Sequence, residues 1–217
     1  MTKKTKNQGT LLNRFNFLIH TFCDKTPTRP EINGVFISPK ETCATDTHKI
    51  IKVDTPKDLD SNDYPVIPNR PKPLSDFKSF ILPKEKTKDV LNIFNSQKSS
   101  DTLPILDNAV IVRNGKEMVE IGKTDLESFN SVMSRKIEGD FPNYKELFVE
   151  RGKFIEILVN PKLLKEIADF YISFVDTFVE EIKIKVPVKT DEPIRFYGKR
   201  KSGQEAKAML MPIKDNK

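Results

Sequence analysis

The alternation of apolar and polar positions divides the chain into three stretches with the same internal order. In the first, Leu11, Leu12, Phe15, Leu18, Ile19 and Phe22 recur at the spacing of one helix face. Asn13, Arg14, Asn16 and His20 lie mainly elsewhere on the circumference, so a helix is predicted over Leu11–Phe22 with Thr10 as its cap. Strand-like runs follow at Ile32–Ser38, Glu41–Ala44 and Lys49–Asp54, the first two joined by a turn at Ser38-Pro39-Lys40. The second stretch opens on a strand at Phe77–Leu82. Pro83 then begins a helix at its first position, with Val90, Leu91 and Phe94 on the apolar side. Strands are expected at Asn108–Val112 and Glu117–Ile121, joined through Asn114-Gly115, and a further pair at Leu126–Met133 and Ser134–Glu138. In the third, a strand at Phe154–Val159 leads through the cap Asn160 into a helix begun by Pro161. Leu163, Leu164, Ile167, Phe170, Tyr171 and Phe174 share one side of that helix. Glu181–Val186 alternates charged and apolar residues as half-buried sheet does, and Ile194–Tyr197 and Ala206–Ile213 complete the set.

Strand, helix, strands therefore recurs three times, at roughly 65–75 residues per copy, and internal duplication of this kind sets the architecture. The class is α+β, with small helices packed on antiparallel sheets. Between the first two copies, Thr55–Asp76 carries Pro56, Pro65, Pro68, Pro71 and Pro73 among polar residues, so no regular element is expected there. It reads as a long surface connection, with a linker favoured over a binding loop.

Composition narrows the function classes more than it selects one. The 217 residues hold enough chain for one large domain or two small ones. Lys and Arg number 37 against 31 Asp and Glu, a formal charge of +6, which permits contact with nucleic acid without demonstrating it. Aromatic content rests on 15 Phe with no Trp, pointing to core packing over base stacking. Cys23 and Cys43 fit no motif and are expected as free, buried thiols of a reducing compartment. The basic start Met1–Lys6 is not followed by an apolar signal stretch, and Leu11–Cys23 is too short to span a bilayer. A soluble, cytoplasmic protein without a membrane partner is expected.

Catalytic signatures are missing: no G-x-S-x-G, no glycine-rich phosphate loop and no H-E-x-x-H occurs, and His20 and His48 are the only histidines. No metal, cofactor or enzymatic activity is expected. Asp46 and His48 could form an acid–base pair or make structural hydrogen bonds, with the second reading favoured. Asp125/Glu127 and Glu180/Glu181 read as solvated charges.

Four segments taken in order carry a resemblance. They are Arg29-Pro30-Glu31-Ile32-Asn33-Gly34-Val35, Ala44-Thr45-Asp46-Thr47-His48-Lys49-Ile50, Phe141-Pro142-Asn143-Tyr144 and Met209-Leu210-Met211-Pro212-Ile213-Lys214. They resemble the R-x-x-x-N-G-V, A-T-D-G-H-R-L, F-P-D-Y and V-M-P-M-R-L runs of the bacterial DNA sliding clamp, the beta subunit of DNA polymerase III. The resemblance implies clamp-like repeats that pair into domains, with helices lining the inside of a ring and sheets forming its outside. Residues 1–150 would be one complete domain of two units joined by the connection at 55–76, matching the family's middle domain. Residues 151–217 would be half of a further one, so the chain is shorter than the family's six-unit subunit and ring closure of the usual kind is in question. The implied function is a non-catalytic processivity factor of DNA replication that holds DNA polymerase and clamp loader by short linear motifs, with double-stranded DNA encircled on self-association. The alternative is a truncated homologue that acts as a regulator or decoy, binding such peptides without loading on DNA. An enzyme grafted on the fold is the weakest reading.

Carried over residue by residue, the family's peptide pocket falls on Thr45, Thr47, His48, Lys49 and Ile50, on Pro142 and Leu147, and on Met209, Leu210, Met211, Pro212 and Ile213. Methionine and aliphatic side chains suit adaptable apolar recognition. The plain alternative is that Met209–Ile213 is an ordinary core strand. Thr47 stands where the family has glycine, Glu146 where it often has arginine, and Asp215 where it has its final apolar residue. Phosphate contact without base readout would fall on Arg14, Lys84, Lys86, Lys88, Lys162 and Lys165, although lysine-rich solvated helix faces are common in most proteins.

Overall fold

The computed structural model describes residues 10–26, 28–66, 68, 72–97, 103–175, 181–189, 191–200 and 202–213. The basic start at 1–6, Pro71, Glu180 and the tail from Lys214 lie outside them. The chain divides into two units, Met1–Glu146 and Leu147–Lys217.

The first unit departs from expectation at its start. Leu11–Asn13 is a strand, β1, and the helix α1 covers only Arg14–Leu18 before tightening into a 3-10 turn at Ile19–Phe22. Asn13, not Thr10, is the cap. Its side chain accepts from the N–H of Phe15 and Asn16, while Asn16 Oδ1 accepts from the Asn13 N–H at 3.0 Å, a reciprocal box that stops the helix running further back. Thr10 Oγ1 donates to the Pro39 carbonyl instead. Asn16 is buried and donates to Thr42 Oγ1 at 3.2 Å.

A three-stranded meander follows: β2 (Gly34–Ile37), β3 (Glu41–Thr45) and β4 (Ile50–Asp54). The start of the predicted first strand is a 3-10 turn at Pro30–Ile32, with proline setting φ at its first position. The second repeat comprises β5 (Phe80–Pro83), α2 (Lys84–Ser96), β6 (Asn108–Asn114), β7 (Met118–Thr124) and β8 (Phe129–Arg135). Pro83 closes β5 and caps α2 from outside, one position earlier than predicted. The expected hairpin over Leu126–Glu138 is a single strand, because β8 stays in register with β7 from Thr124↔Phe129 to Met118↔Arg135. Beyond it only Ile137 forms a bridge, to Ile81.

The two repeats trade their first strands. One sheet runs β1-β6-β7-β8 and the other β4-β3-β2-β5, so each repeat's opening strand completes the other's sheet. Leu12, Phe17, Val35, Ile37, Leu82, Val90, Ile111 and Ile121 fill one shared core, and the rings of Phe17 and Phe94 bring the two helices together at 5.8 Å. The proline-rich connection is not a plain linker where it is described. Tyr64 is buried, its hydroxyl donating to the Asn108 carbonyl and accepting from the Thr124 N–H, and the Leu74 N–H donates to Ile111 O at 2.8 Å.

In the second unit, Asn160 caps α3 (Pro161–Phe174) by accepting from the Lys162 N–H at 2.9 Å. Strands β9 (Lys183–Lys185), β10 (Ile194–Lys199) and β11 (Glu205–Leu210) form a sheet in the order β11-β10-β9. Tyr171, Ile194, Phe196 and Leu210 make a small core, with the Tyr171 hydroxyl donating to the Phe196 carbonyl at 2.9 Å. Three expectations fail here. Phe154–Val159 joins no ladder among the described residues, β9 is exposed along its length, and of the α3 stripe Tyr171 alone is fully buried. One helix on three strands offers too little surface to cover these side chains. Among the described residues no helix is long and apolar enough to cross a membrane.

Candidate functional site

Thr45 ends β3, and the five residues to Lys49 form a turn held by its own side chains. Thr45 Oγ1 donates to the Lys49 carbonyl at 2.9 Å and accepts from the Thr47 N–H at 3.1 Å. Asp46 Oδ1 accepts from the N–H groups of His48 and Lys49, and its carboxylate meets Lys49 Nζ at 3.4 Å. Partial desolvation opposes the Asp46 charge, but the Lys49 and His48 hydrogen bonds outweigh it and hold the carboxyl below its ordinary range. The carboxylate thus organises the backbone at His48, which favours the structural reading over an acid–base pair. Thr47 has φ +76°, the left-handed conformation that suits glycine, and Thr47, His48 and Lys49 are exposed.

The same turn stands at the end of β7. Thr124 Oγ1 donates to the Ser128 carbonyl and accepts from the Leu126 N–H, Asp125 Oδ1 accepts from Glu127 and Ser128, and Leu126 also has φ +76°. The Thr-Asp pair is therefore a structural device of both repeats, and what distinguishes the first copy is the exposed His48-Lys49 it presents. Asp125 and Glu127 belong to this second turn.

The Phe141–Tyr144 segment lies on the sheet that carries the first turn. Phe141 stacks on Phe36 of β2 at 5.2 Å, and the buried Tyr144 donates from its hydroxyl to Glu41 Oε1 at 2.6 Å. Glu41 opens β3 and Thr45 ends it, so that anchor and the Thr45 turn are about 13 Å apart along the strand. Pro142 is exposed beside this anchor, and Ile50 is half-buried where β4 begins.

In the second unit the C-terminal residues split by parity. Leu210 is buried in the core, whereas Met209, Met211 and Ile213 are 67%, 61% and 53% exposed and Pro212 is half-buried. The Ile213 N–H donates to Leu158 O at 2.8 Å. Leu147 is 71% exposed.

Most of the helix lysines are engaged locally. Lys84 Nζ donates to the Cys23 and Asp24 carbonyls, Lys86 pairs with Asp89 at 2.8 Å, Lys88 with Glu85 at 2.9 Å, and Lys165 with Asp169. Arg14 and Lys162 are exposed at the starts of α1 and α3. A groove of about 860 Å³ in the first unit collects Lys49, Lys84 and Lys88 with His20 and Lys25, against Glu85. His20 and Lys25 carry no sequence signal for this, since the groove forms only when the 3-10 turn meets α2. No cluster of His, Cys, Asp and Glu among the described residues could hold a metal.

No protein-family model and no curated protein matches the sequence. Solved structures do match. A Caulobacter crescentus beta sliding clamp is 13% identical, with 98% of this chain and 52% of that one covered and a TM-score of 0.65. A Bacillus subtilis sliding clamp is 16% identical, covering 98% and 51% with a TM-score of 0.62. A Pseudomonas aeruginosa sliding clamp bound to griselimycin is 16% identical, covering 98% and 53% with a TM-score of 0.64. The chain spans about half the length of these relatives, and over nearly all of its own length it has the α+β fold of the bacterial DNA sliding clamp.

Proposed function

We propose that the chain is a clamp-type scaffold of DNA replication, non-catalytic and without a cofactor, that holds DNA polymerase and clamp loader by short linear peptides. The observation that carries this reading is the likeness to bacterial sliding clamps along nearly the whole chain. The recognition residues are assigned to Thr45, Thr47, His48, Lys49, Ile50 and Pro142 in the first unit. Leu147, Met209, Met211, Pro212 and Ile213 are assigned in the second, with exposed Met209, Met211 and Ile213 as the apolar anchors and Leu210, buried in the core, fixing the strand beneath them. A fluorescent peptide carrying a polymerase clamp-binding motif should bind saturably, and His48→Ala and Met211→Ala should each weaken it about tenfold, as loss of an anchor does. Griselimycin, found on a neighbouring clamp, serves as competitor. No peptide binding by the unaltered chain would refute the proposal.

A regulator or decoy is the second reading, favoured by the local pairing of Lys86, Lys88 and Lys165 with carboxylates of their own helices. Those pairs leave less charge to neutralise phosphates. Peptide binding without salt-dependent affinity for primed circular DNA would select it. Binding that weakens in Arg14→Ala and Lys162→Ala would select a DNA-loaded clamp.

A further inference from the structure

In the first unit no repeat completes its own sheet: β1 lies on β6 and β5 lies on β2. The third repeat shows the same parts with the exchange unmade. Ile137 donates its N–H to Ile81 O at 3.0 Å, and Ile213 donates to Leu158 O at 2.8 Å. Each acceptor sits two residues before its helix cap, Pro83 or Asn160. Phe154–Val159 is thus the counterpart of β5, held along one edge by the same bond. The edge that β5 gives to β2 has no ladder partner here among the described residues, nor has the edge of β9 that faces away from β10.

We propose that a second copy of this chain supplies both missing partners, each copy laying Phe154–Val159 on the β9 of the other. The first unit prescribes the register. Cap residues Asn13 and Pro83 stand opposite Asn108 and Gly34, the residues that open β6 and β2. With each register extended, those residues stand opposite Thr124 and Thr45, the last residues of the middle strands. The last residue of β10 is Lys199, and continuing the β9–β10 register sets it opposite Glu181. Asn160 therefore meets Glu181 of the second copy, Val159 meets Ile182, Ile157 meets Ile184 and Glu156 meets Lys185.

Chemistry agrees with that register. Ile157, Val159 and Ile182 pack on the half-core, so the paired residues share its face. Ile184, 52% exposed, would be covered by Ile157. The exposed Glu156 would lie opposite Lys185 and diagonal to Lys183, and opposite charges across antiparallel strands are favourable. On α3, Leu163, Leu164 and Phe170 remain exposed, whereas α1 and α2 hide apolar residues against each other through Phe17 and Phe94. Two half-domains joined this way reproduce the exchange already present in the first unit.

Glu156 turns its backbone the same way as Leu158, so its pair with Lys185 is of the non-hydrogen-bonded kind, with Cα atoms about 4.5 Å apart and within disulfide range. The test is the full chain carrying Glu156→Cys and Lys185→Cys, oxidised and then examined by mass, together with light scattering of the unaltered chain. The expected result is a disulfide between chains and a mass of at least two chains. Glu156→Lys should weaken association about tenfold, and adding Lys185→Glu should restore it. A monomeric mass, a disulfide closed within one chain, or association without the cross-link would each overturn the proposal. Peptide binding by a monomer would refute this assembly while leaving the proposed function intact.

Discussion

Thr47 and Leu126 hold the same left-handed φ of +76°, each at the centre of a turn whose hydrogen bonds come from a threonine and an aspartate. For a residue with a Cβ that conformation costs about 1–2 kcal/mol, partly offset by the freedom glycine would lose on folding. Thr47→Gly and Leu126→Gly should each stabilise the protein by about 0.5–1 kcal/mol, measured by urea denaturation. The aspartates set a pH dependence. For Asp125, hydrogen bonds from Ser128 lead in holding the carboxyl below 3.8; for Asp46, those from Lys49 and His48 do so against desolvation. Depressed carboxyls bind fewer protons in the folded state, so their contribution is present above pH 3.8 and is lost as pH falls through the lower folded values. Asp46→Asn and Asp125→Asn should therefore flatten the acid limb of a stability–pH curve and leave its slope near neutrality unchanged. Both Thr-Asp pairs stand in the sequence, but the second carries no turn signal of its own because its neighbours, Leu126 and Glu127, differ from Thr47 and His48.

At the level of elements, periodicity located most helices and strands, since the side chains it counts are the ones the cores take up. It failed where an alternative bond was available to the backbone. Asn13 and Asn16 satisfy each other and convert Leu11–Asn13 from helix to strand, and an unbroken ladder to β7 keeps Phe129–Arg135 in one piece. Phe154–Val159 has the composition of a strand but joins no ladder among the described residues, because a strand is defined by its neighbour. Gly198 shows how closely the second unit's helix sits on its sheet. A Cβ there would lie 2.7 Å from the Tyr171 ring, whose hydroxyl is tied to the strands below. Gly198→Ala should cost about 1–3 kcal/mol as overpacking. Thermal melting of that variant against the unaltered chain checks it.

For the whole molecule, the opening strands of the first unit are paired, whereas among the described residues Phe154–Val159 of the second unit joins no ladder. A chain ending at Glu146 retains both exchanged strands and the entire core built on Leu12, Phe17, Val35 and Ile111, so it should unfold in one cooperative transition by circular dichroism. A broad, non-cooperative melt would show that the first unit depends on residues after Glu146.

The apolar face of α2 and the Thr45–Ile50 turn were determined by the sequence, because each depends on residues within about one turn or hairpin of each other. Which strand lies on which was decided only in three dimensions. Leu11 finds Val110 and Gly34 finds Pro83 across long stretches of chain, and local propensity carries no record of such a choice. The candidate surfaces divide along the same line. Met209, Met211 and Ile213 could be named from a motif, but their exposure and the burial of Leu210 follow from which face of β11 the small core of Tyr171 and Phe196 occupies.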